Sequence, residues 1–139
     1  MAEPIFQGPA ALTLDAKGRV AVPARHRAQL DAAQITRLVI TKNPGHSLLV
    51  FPQPAWERFR AQALALPFEA AGWKRLFLAH AVEVDLDNSA RVLIDPTLRA
   101  YAGLEREVML LGMGSHLEMW DAERLARHEA EVMASPMPD

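Results

Sequence analysis

Runs of apolar residues at strand length occur in two groups along the chain. Leu38–Thr41 and Leu48–Phe51 flank the turn residues Asn43-Pro44-Gly45, a pattern typical of two paired strands. Val108–Leu111 and Leu117–Trp120 repeat this pattern later in the chain. Shorter apolar runs predict four further strand segments: Thr13–Leu14, Val20–Val22, Val82–Leu86 and Val92–Ile94. The pattern therefore predicts an architecture rich in short strands.

Helices are predicted where apolar residues recur at intervals of three or four. Pro54 begins one that ends before Pro67, and a second follows over about residues 69–80. These two helices have no counterpart inside the strand groups, so they are expected to form a connector and brace. Short helices are also predicted after Pro23, from Asp95-Pro96 to Gly103, and from Asp121 toward a frayed C-terminus.

The chain carries one segment twice. Residues 14–27 read LDAKGRVAVPARHR and residues 86–99 read LDNSARVLIDPTLR, with Leu, Asp, Arg, Val and the final Arg identical. Residues 37–51 also align with residues 106–120, at an offset of 69. Such self-similarity indicates one supersecondary unit used twice. Each half is too small to bury a core of its own, so we expect a pseudo-two-fold pair that closes one shared core.

Composition limits the classes of protein that are possible. The chain has 139 residues and no cysteine, which predicts one compact domain or two very small ones without disulfides or thiolate metal sites. This fits a reducing cytoplasm. No apolar run reaches the length of a membrane span, and the N-terminal residues lack the pattern of a secretion signal.

The net charge of −2 hides an asymmetry between two segments. Residues 15–29 hold four cations and one carboxylate, whereas residues 118–139 hold six carboxylates and two arginines. The first segment could attract an anion, and the second is expected to be an exposed acidic tail. The structural alternative, a solvated helix and a solvated tail, remains open.

The repeated Asp-x-x-x-Arg allows a structural and a functional interpretation. Asp15 and Asp87 can hold a tight turn by accepting backbone hydrogen bonds, and a surface pair with Arg19 or Arg91 is worth only about 0–1 kcal/mol. A guanidinium fork also suits phosphate and the guanine edge, and a two-stranded ribbon with its turn fits the major groove of DNA. Six cations in contact with phosphate would give a salt slope near about −5. These six are Lys17, Arg19, Arg25, Arg27, Arg91 and Arg99.

An enzyme is not predicted. Two related aspartates on a pseudo-two-fold axis could suggest an acid protease, but the adjacent arginines would keep both carboxylates charged and prevent proton sharing. No nucleotide-binding, serine hydrolase or zinc protease motif is present, and the five histidines lack metal-ligand spacing. His80 is expected to be a hydrogen-bonded core histidine, and Trp56, Trp73 and Trp120 are expected in the core or at a subunit interface. Neither a cofactor, a metal nor a small-molecule substrate is expected.

The two repeated segments, together with HAVEVDLDNSARVLIDPTLRAYAGLEREVMLLGMGSHLEMWD, closely resemble the MraZ family of bacterial transcriptional regulators, built from two SpoVT-AbrB-type units. The resemblance covers about residues 5–128. It implies a mainly β fold with short helices (α+β), a split, swapped-hairpin β-barrel of two interleaved half-units. It also implies ring-shaped homo-oligomers in the cytoplasm, associated with the nucleoid. These would bind tandem repeats in double-stranded DNA upstream of the cell-division and cell-wall gene cluster, their own gene included, and usually repress it.

The resemblance assigns roles to the repeated residues. The DNA-binding set is Lys17, Arg19, Arg25, Arg27, Arg91 and Arg99, and the turn-holding set is Asp15, Gly18, Asp87 and Asn88. The second turn departs from the family pattern, because Ala90 stands where such a turn commonly has glycine. Since alanine disfavours positive φ, Asn88 is expected to adopt it instead, and Arg91 to point differently from Arg19. The first turn is therefore expected to be the stronger DNA contact.

Four segments are predicted from these patterns. They are a first SpoVT-AbrB-like unit at residues 5–53, a helical connector at 54–80, a second unit at 81–124 and a C-terminal helix with a frayed tail at 125–139. The alternative function is an AbrB-like antitoxin or protein-interaction module, although such antitoxins usually carry a disordered inhibitory tail and this tail is short and acidic.

Overall fold

A computed structural model describes residues 3–138, so Met1, Ala2 and the last residue of the predicted tail, Asp139, lie outside the described part. The chain alternates short strands and helices in two similar halves. The first half contains β1 (Phe6–Thr13), β2 (Arg19–Ala21), α1 (Ala24–Ala32), β3 (Arg37–Asn43), β4 (Ser47–Pro52) and α2 (Gln53–Leu64). The second contains β5 (Val82–Asp85), β6 (Arg91–Leu93), α4 (Pro96–Ala102), β7 (Glu107–Gly114), β8 (Leu117–Asp121) and α5 (Ala122–Met133).

Residues 68–79 connect the halves, and we call them the brace. Where one regular helix was predicted, the brace is a 3-10 turn (Phe68–Ala70), a short α3 (Ala71–Lys74) and a π-helical turn (Arg75–Ala79). The prediction of helical structure is confirmed, but its regularity was wrong. Phe77 and Leu78 of the π-helical turn both pack against an apolar cluster on the sheet.

The two halves interleave in the sheet. Six antiparallel strands lie in the order β1-β7-β8-β4-β3-β5, so the first strand of each half pairs with the hairpin of the other half. β2 and β6 pair with each other and form a separate two-stranded sheet, which we call the ribbon. If each strand of the first half is exchanged with its counterpart in the second, the strand order is the same read from the opposite edge of the sheet. The pseudo-two-fold axis passes between Leu49 and Glu118 in the sheet and between Val20 and Val92 in the ribbon.

The predicted α+β class is confirmed, but the sheet does not close into a barrel. β1 and β5 are its free edges, and β2 and β6 form ladder hydrogen bonds only with each other. Both edges are protected in ways that discourage further pairing. β1 carries Gly8 at φ 87° followed by Pro9, and β5 carries charged side chains.

One main core lies between the ribbon and the inner face of the sheet. Val20 and Val92 point from the ribbon toward Leu38, Leu110 and neighbouring apolar residues of both halves. A second, smaller cluster lies on the outer face of the first half only. It consists of Val39, Leu49, Phe51, Ala55 and Trp56, with Phe59, Phe77, Leu78 and Ala81 packed against it. The halves therefore share one core, and the first half adds a larger outer cluster, whereas in the second half α5 covers Trp120 through His128 at a ring distance of 4.7 Å.

The burial pattern corrects the predicted alignment of β3 with β7. At the predicted offset of 69, buried inner Val108 would match Val39, which faces outward. Cross-strand pairing instead matches Leu38 with Val108, an offset of 70, because Leu38 pairs with Val84 as Val108 pairs with Leu12. The offset of 69 holds for β4 and β8. The difference arises because the first hairpin has one more turn residue than the second.

Several local predictions had different outcomes. Asp95 and Asp121 cap α4 and α5 as predicted, accepting hydrogen bonds from backbone N–H groups at 3.0 Å. His80 is only half-buried and its ring makes no hydrogen bond among residues 3–138, so the prediction of a core histidine there was wrong. The core histidine is His26, 1% exposed.

The predicted burial of the tryptophans is confirmed for two of the three. Trp56 and Trp120 are buried, but Trp73 is largely exposed. Most of β1 was not predicted.

His26 is a source of instability at acid pH. Within residues 3–138 neither ring nitrogen has a hydrogen-bond partner, and one edge of the ring packs against Phe6. Burial lowers the pKa of His26, and the Arg25 guanidinium lowers it further. The folded protein therefore resists protonation of His26, whereas the unfolded chain takes up this proton near the ordinary pKa of 6.5.

We expect the free energy of unfolding to fall as the pH drops below 6.5 and to be insensitive to His26 above it. The variant His26→Leu removes both unpaired nitrogens. It should gain about 1–2 kcal/mol at pH 7 and lose part of the acid sensitivity. Urea unfolding at pH 5, 6 and 7.5 measures both effects. An unchanged pH profile in the variant would show that His26 does not govern it.

Candidate nucleic-acid interface

The first repeated turn is built around one carboxylate. Oδ1 of Asp15 accepts hydrogen bonds from the backbone N–H groups of Lys17 and Arg19, both at 2.9 Å, and Oδ2 accepts one from Nε of Arg19 at 3.0 Å. The backbone closes the same loop, because the N–H of Gly18 donates to the carbonyl of Asp15 at 3.0 Å. Asp15 thus determines the turn and the direction of the Arg19 side chain together.

The second turn reproduces this network. Oδ1 of Asp87 accepts from the backbone N–H groups of Ser89 and Arg91 at 2.8 Å, and Oδ2 accepts from Nε of Arg91 at 3.1 Å. The N–H of Ala90 donates to the carbonyl of Asp87 at 2.9 Å. Each distance agrees with that of the first turn to within 0.1 Å, so Arg91 is held by its turn as Arg19 is, contrary to the prediction that it points differently.

Hydrogen bonding keeps both aspartates charged. The pKa of Asp15 lies below its usual value chiefly because the backbone N–H of Arg19 stabilises the anion, and the backbone N–H of Arg91 does the same for Asp87. Each carboxylate is paired with its own arginine. A shared proton between the two aspartates, as an acid protease would need, is therefore unfavourable.

The two turns meet through the ribbon rather than through hairpins of their own. The strands on either side of each turn do not pair with each other, because β1 pairs with β7, β5 with β3, and β2 with β6. Arg19 is opposite Leu93, and Arg91 is opposite Ala21. Val20 and Val92 face the core. The residues on either side of them in the ribbon therefore lie on its outer face, namely Arg19, Ala21, Arg91 and Leu93. The terminal nitrogens of both arginines make no hydrogen bond within residues 3–138 and are free for a ligand.

Arg99 joins the first turn from the second half of the chain. Its Nε donates to the carbonyl of Ile94 at 3.0 Å, and its guanidinium lies directly over Gly18. A Cβ on Gly18 would lie only 2.7 Å from Cζ of Arg99, so this approach requires glycine. The equivalent residue in the first half, Arg27, instead faces Asp31 on α1 at 3.9 Å.

Backbone geometry corrects the prediction for Asn88. Ala90 has φ 58°, in the left-handed region, and Gly18 has φ 84° at the same place in the first turn. Asn88 is not among the residues with positive φ in the described part of the chain. The Asp87 hydrogen bonds impose the turn conformation, and Ala90 adopts it despite its Cβ.

The predicted DNA-binding residues thus fall into two groups. Lys17 is exposed at the tip of the first turn, and it lies with Arg19, Arg91 and Arg99 around the ribbon. Arg25 donates to the carbonyl of Pro9 at 2.7 Å, on edge strand β1. Arg25 therefore contacts β1 and Arg27 contacts its own helix α1, so neither is gathered at the turns.

Two apolar residues on the outer face of the ribbon were missed by the sequence reasoning. Ala21 is exposed, and Leu93 is 51% exposed beside Arg19. The strict alternation of β6, with Val92 and Ile94 buried on either side of Leu93, is the signal that could have identified Leu93.

Comparison with known proteins assigns the chain to a family. A family model described as "MraZ protein, putative antitoxin-like" matches residues 5–76 and again residues 77–137. The chain belongs to the MraZ family. The resemblance noted from the two repeated segments is therefore confirmed.

Relatives in the MraZ family match all or nearly all of the chain. The transcriptional regulator MraZ of Methylibium petroleiphilum is 59% identical over 139 residues, covering 100% of this chain and 95% of the relative. That of Leptothrix cholodnii is 56% identical with the same coverage, and that of Burkholderia vietnamiensis is 54% identical over 97% of this chain and 95% of the relative.

Family membership supports a role in regulating transcription rather than an enzymatic role. In residues 3–138 no helix has the length and apolar character needed to cross a bilayer. Over the same residues, no group of three or more histidines and carboxylates is placed to hold a metal ion.

The unequal turns yield a prediction about stability. Ala90→Gly relieves the left-handed strain and should stabilise the protein by about 0.5–1 kcal/mol. Gly18→Ala introduces that strain and also displaces Arg99, so it should destabilise by about 1–2 kcal/mol. Chemical unfolding of the two variants beside the parent protein measures both changes. A loss of stability in Ala90→Gly would contradict the account.

Proposed function

We propose that this MraZ chain is a DNA-binding regulator whose ribbon enters the major groove. The observation that carries the proposal is the pair of arginines on the outer face of the ribbon, Arg19 and Arg91, each oriented by an aspartate through Nε. A two-stranded β-ribbon fits a major groove about 12 Å wide. The ribbon is three residue pairs long, so its outer face presents both arginines to a short run of base pairs.

The charge of the interface suits a division of roles. With Nε held by Asp15 or Asp87, the terminal nitrogens of Arg19 and Arg91 are preorganised for O6 and N7 of guanine. Lys17 and Arg99 lie at the first turn, where they can bind phosphate. The second turn has neither cation, so the first turn is the stronger phosphate contact.

One chain alone provides little attraction for DNA. The net charge is −2, and each base-reading arginine is already paired with a carboxylate. We infer that several copies form a closed ring and that neighbouring ribbons bind tandem promoter repeats, where effective concentration adds many weak contacts. The resemblance to the family supports targets upstream of the cell-division and cell-wall gene cluster, the chain's own gene included. It also supports repression and action in the cytoplasm at the nucleoid.

A second candidate function is supported by the family description, which contains the words "antitoxin-like". In this alternative the chain would neutralise a toxin by binding it. A toxin that co-purifies in fixed stoichiometry would favour this function over promoter binding as the primary role.

Substitution of the ribbon arginines tests the proposed DNA contact. We expect Arg19→Ala to weaken binding to the upstream promoter repeats by roughly tenfold or more per engaged site, since a bidentate arginine–guanine contact is worth about 1–3 kcal/mol. Fluorescence anisotropy at physiological salt with labelled promoter DNA measures this change.

Arg37→Ala provides a matched control. Arg37 also donates through Nε to an aspartate, Asp85, at 3.0 Å, but at the β3–β5 edge of the sheet. The Arg37→Ala variant should bind promoter DNA with an affinity within about twofold of that of the parent protein. Equal affinity of the Arg19→Ala variant and the parent protein, with both folded, would refute the proposed interface.

Salt dependence separates phosphate contacts from base contacts. Lys17→Ala should reduce the slope of log affinity against log salt by about 0.9 for each ribbon engaged and weaken all sequences alike. Arg91→Ala should instead reduce the preference for promoter repeats over scrambled DNA. Titrations between about 50 and about 300 mM salt on promoter DNA and on scrambled DNA measure both effects. A reduced salt slope without lost sequence preference in Arg91→Ala, and the opposite result in Lys17→Ala, would show that the two roles are reversed.

A further inference from the structure

The outer face of the ribbon carries two apolar side chains that the contacts described so far do not use. Leu93 is 51% exposed, and Ala21 is also exposed. Among residues 3–138, Leu93 packs into neither of the two apolar clusters. Isolated exposed leucines are common on protein surfaces, so exposure alone assigns no role to Leu93. Its position on the ribbon is what distinguishes it.

Leu93 lies next to Arg19 across the ribbon. The N–H of Ile94 donates to the carbonyl of Gly18 at 2.8 Å, so Arg19 and Leu93 form a non-hydrogen-bonded pair of the antiparallel ladder. In such a pair the two Cα atoms lie about 4.5 Å apart, and the side chains are closer than in a hydrogen-bonded pair. Successive base pairs of DNA are stacked about 3.4 Å apart. The two side chains are therefore spaced for neighbouring base pairs.

Arg19 determines what the leucine meets in the groove. Asp15 holds Arg19 through Nε, which leaves the terminal nitrogens to reach O6 and N7 of a guanine in the proposed complex. Leu93 projects from the same face of the ribbon, so it enters the groove beside the guanidinium. Leu93 is then buried against the edge of the next base, and the chemistry of that edge decides whether its burial is favourable.

Thymine is the base that offers an apolar group in the major groove, its C5-methyl. The edges of the other bases present nitrogen and oxygen atoms that bind water. A leucine placed over those atoms would displace the water and leave them unpaired. A leucine placed on the methyl group instead removes apolar surface of both partners from water. An exposed leucine in this position thus favours thymine by attraction and disfavours the other bases by the cost of their lost hydrogen bonds.

We propose that Leu93 reads the 5-methyl group of a thymine in the base pair next to the guanine bound by Arg19. This contact rests on the proposed function, since it requires the ribbon to lie in the major groove. Ala21 has the equivalent place beside Arg91, but its single methyl group reaches less far. One end of the ribbon therefore reads guanine together with thymine, and the other end reads guanine without a fixed neighbour.

Exchange of thymine for uracil tests the contact by removing one methyl group. Deoxyuridine in the promoter repeats keeps the base pairing and O4 of thymine. We expect the exchange to weaken binding of the parent protein by roughly fourfold for each engaged repeat, the value of one buried group of methyl size. Leu93→Ala should lose a similar factor on thymine DNA and be insensitive to the exchange. Fluorescence anisotropy on the four combinations of protein and DNA measures this coupling.

Met137→Ala is the matched control, because Met137 is an apolar side chain that is 90% exposed in the tail beyond α5. This variant should keep the full sensitivity of the parent protein to uracil. A Leu93→Ala variant that is folded by circular dichroism and keeps that sensitivity would overturn the thymine contact. Equal affinity of the parent protein for thymine and uracil repeats would overturn it as well.

Base-by-base exchange locates the two contacts relative to each other. In 7-deazaguanine the acceptor N7 is absent, so the guanine bound by Arg19 is the one whose exchange weakens the parent protein but not Arg19→Ala. Exchange of single thymines for uracil identifies the base read by Leu93 in the same way. The two bases should belong to neighbouring base pairs. Bases further apart would contradict the placement of Leu93 beside Arg19.

The proposed function and the thymine contact fail in different ways. If Arg19→Ala keeps full affinity for the promoter repeats, the ribbon is not the DNA-binding surface and both proposals fall. If Arg19→Ala loses affinity while Leu93→Ala matches the parent protein on thymine and uracil repeats, the ribbon binds DNA and the thymine contact alone is wrong.

Discussion

The carboxylate at the start of each repeated turn is the interaction on which the rest of the molecule depends. Asp15 and Asp87 each bind two backbone N–H groups and one guanidinium, so one side chain sets the turn and orients an arginine. Each turn leads the chain into β2 or β6, and these strands lie over the inner face of the sheet, where Val20 and Val92 complete the core. Loss of either carboxylate would therefore affect the core and the exposed arginine together.

Interleaving makes each turn a product of both halves. Arg99 of the second half lies over Gly18 of the first, and the carbonyl of Gly18 accepts a hydrogen bond from the N–H of Ile94 at 2.8 Å. The N–H of Val22 donates to Ala90 in the same way, at 2.9 Å. The ribbon and its two turns thus cannot form in an isolated half, because their hydrogen bonds join residues of both halves.

The sequence was sufficient for the features that repeat locally. The two turns, the caps at Asp95 and Asp121 and the two hairpins follow from residue types at short spacing. Strand exchange between the halves pairs residues 42 to 108 positions apart, and the β2–β6 ribbon pairs residues 70 to 74 positions apart; periodicity encodes neither. β1 was largely missed because Gly8 and Pro9 interrupt its pattern. Of the proposed site, the aspartate–arginine pairs were predicted. The separate position of Arg25 was not, because its partner is the Pro9 carbonyl, 16 residues away, and Arg27 turns instead toward Asp31 on α1.

Leu49 and Glu118 face each other on the pseudo-two-fold axis. In an assembly of two identical halves, a residue on that axis would meet its own copy, and two glutamates there would repel each other. Joining the halves in one polypeptide removes this demand for self-complementarity. Glu118 can then accept hydrogen bonds from Trp120 at 2.8 Å and Asn43 at 3.3 Å while the apolar side chain of Leu49 stands opposite. Covalent fusion has allowed the two central strands to carry different residues at the axis, where identical halves would place a residue against its own copy.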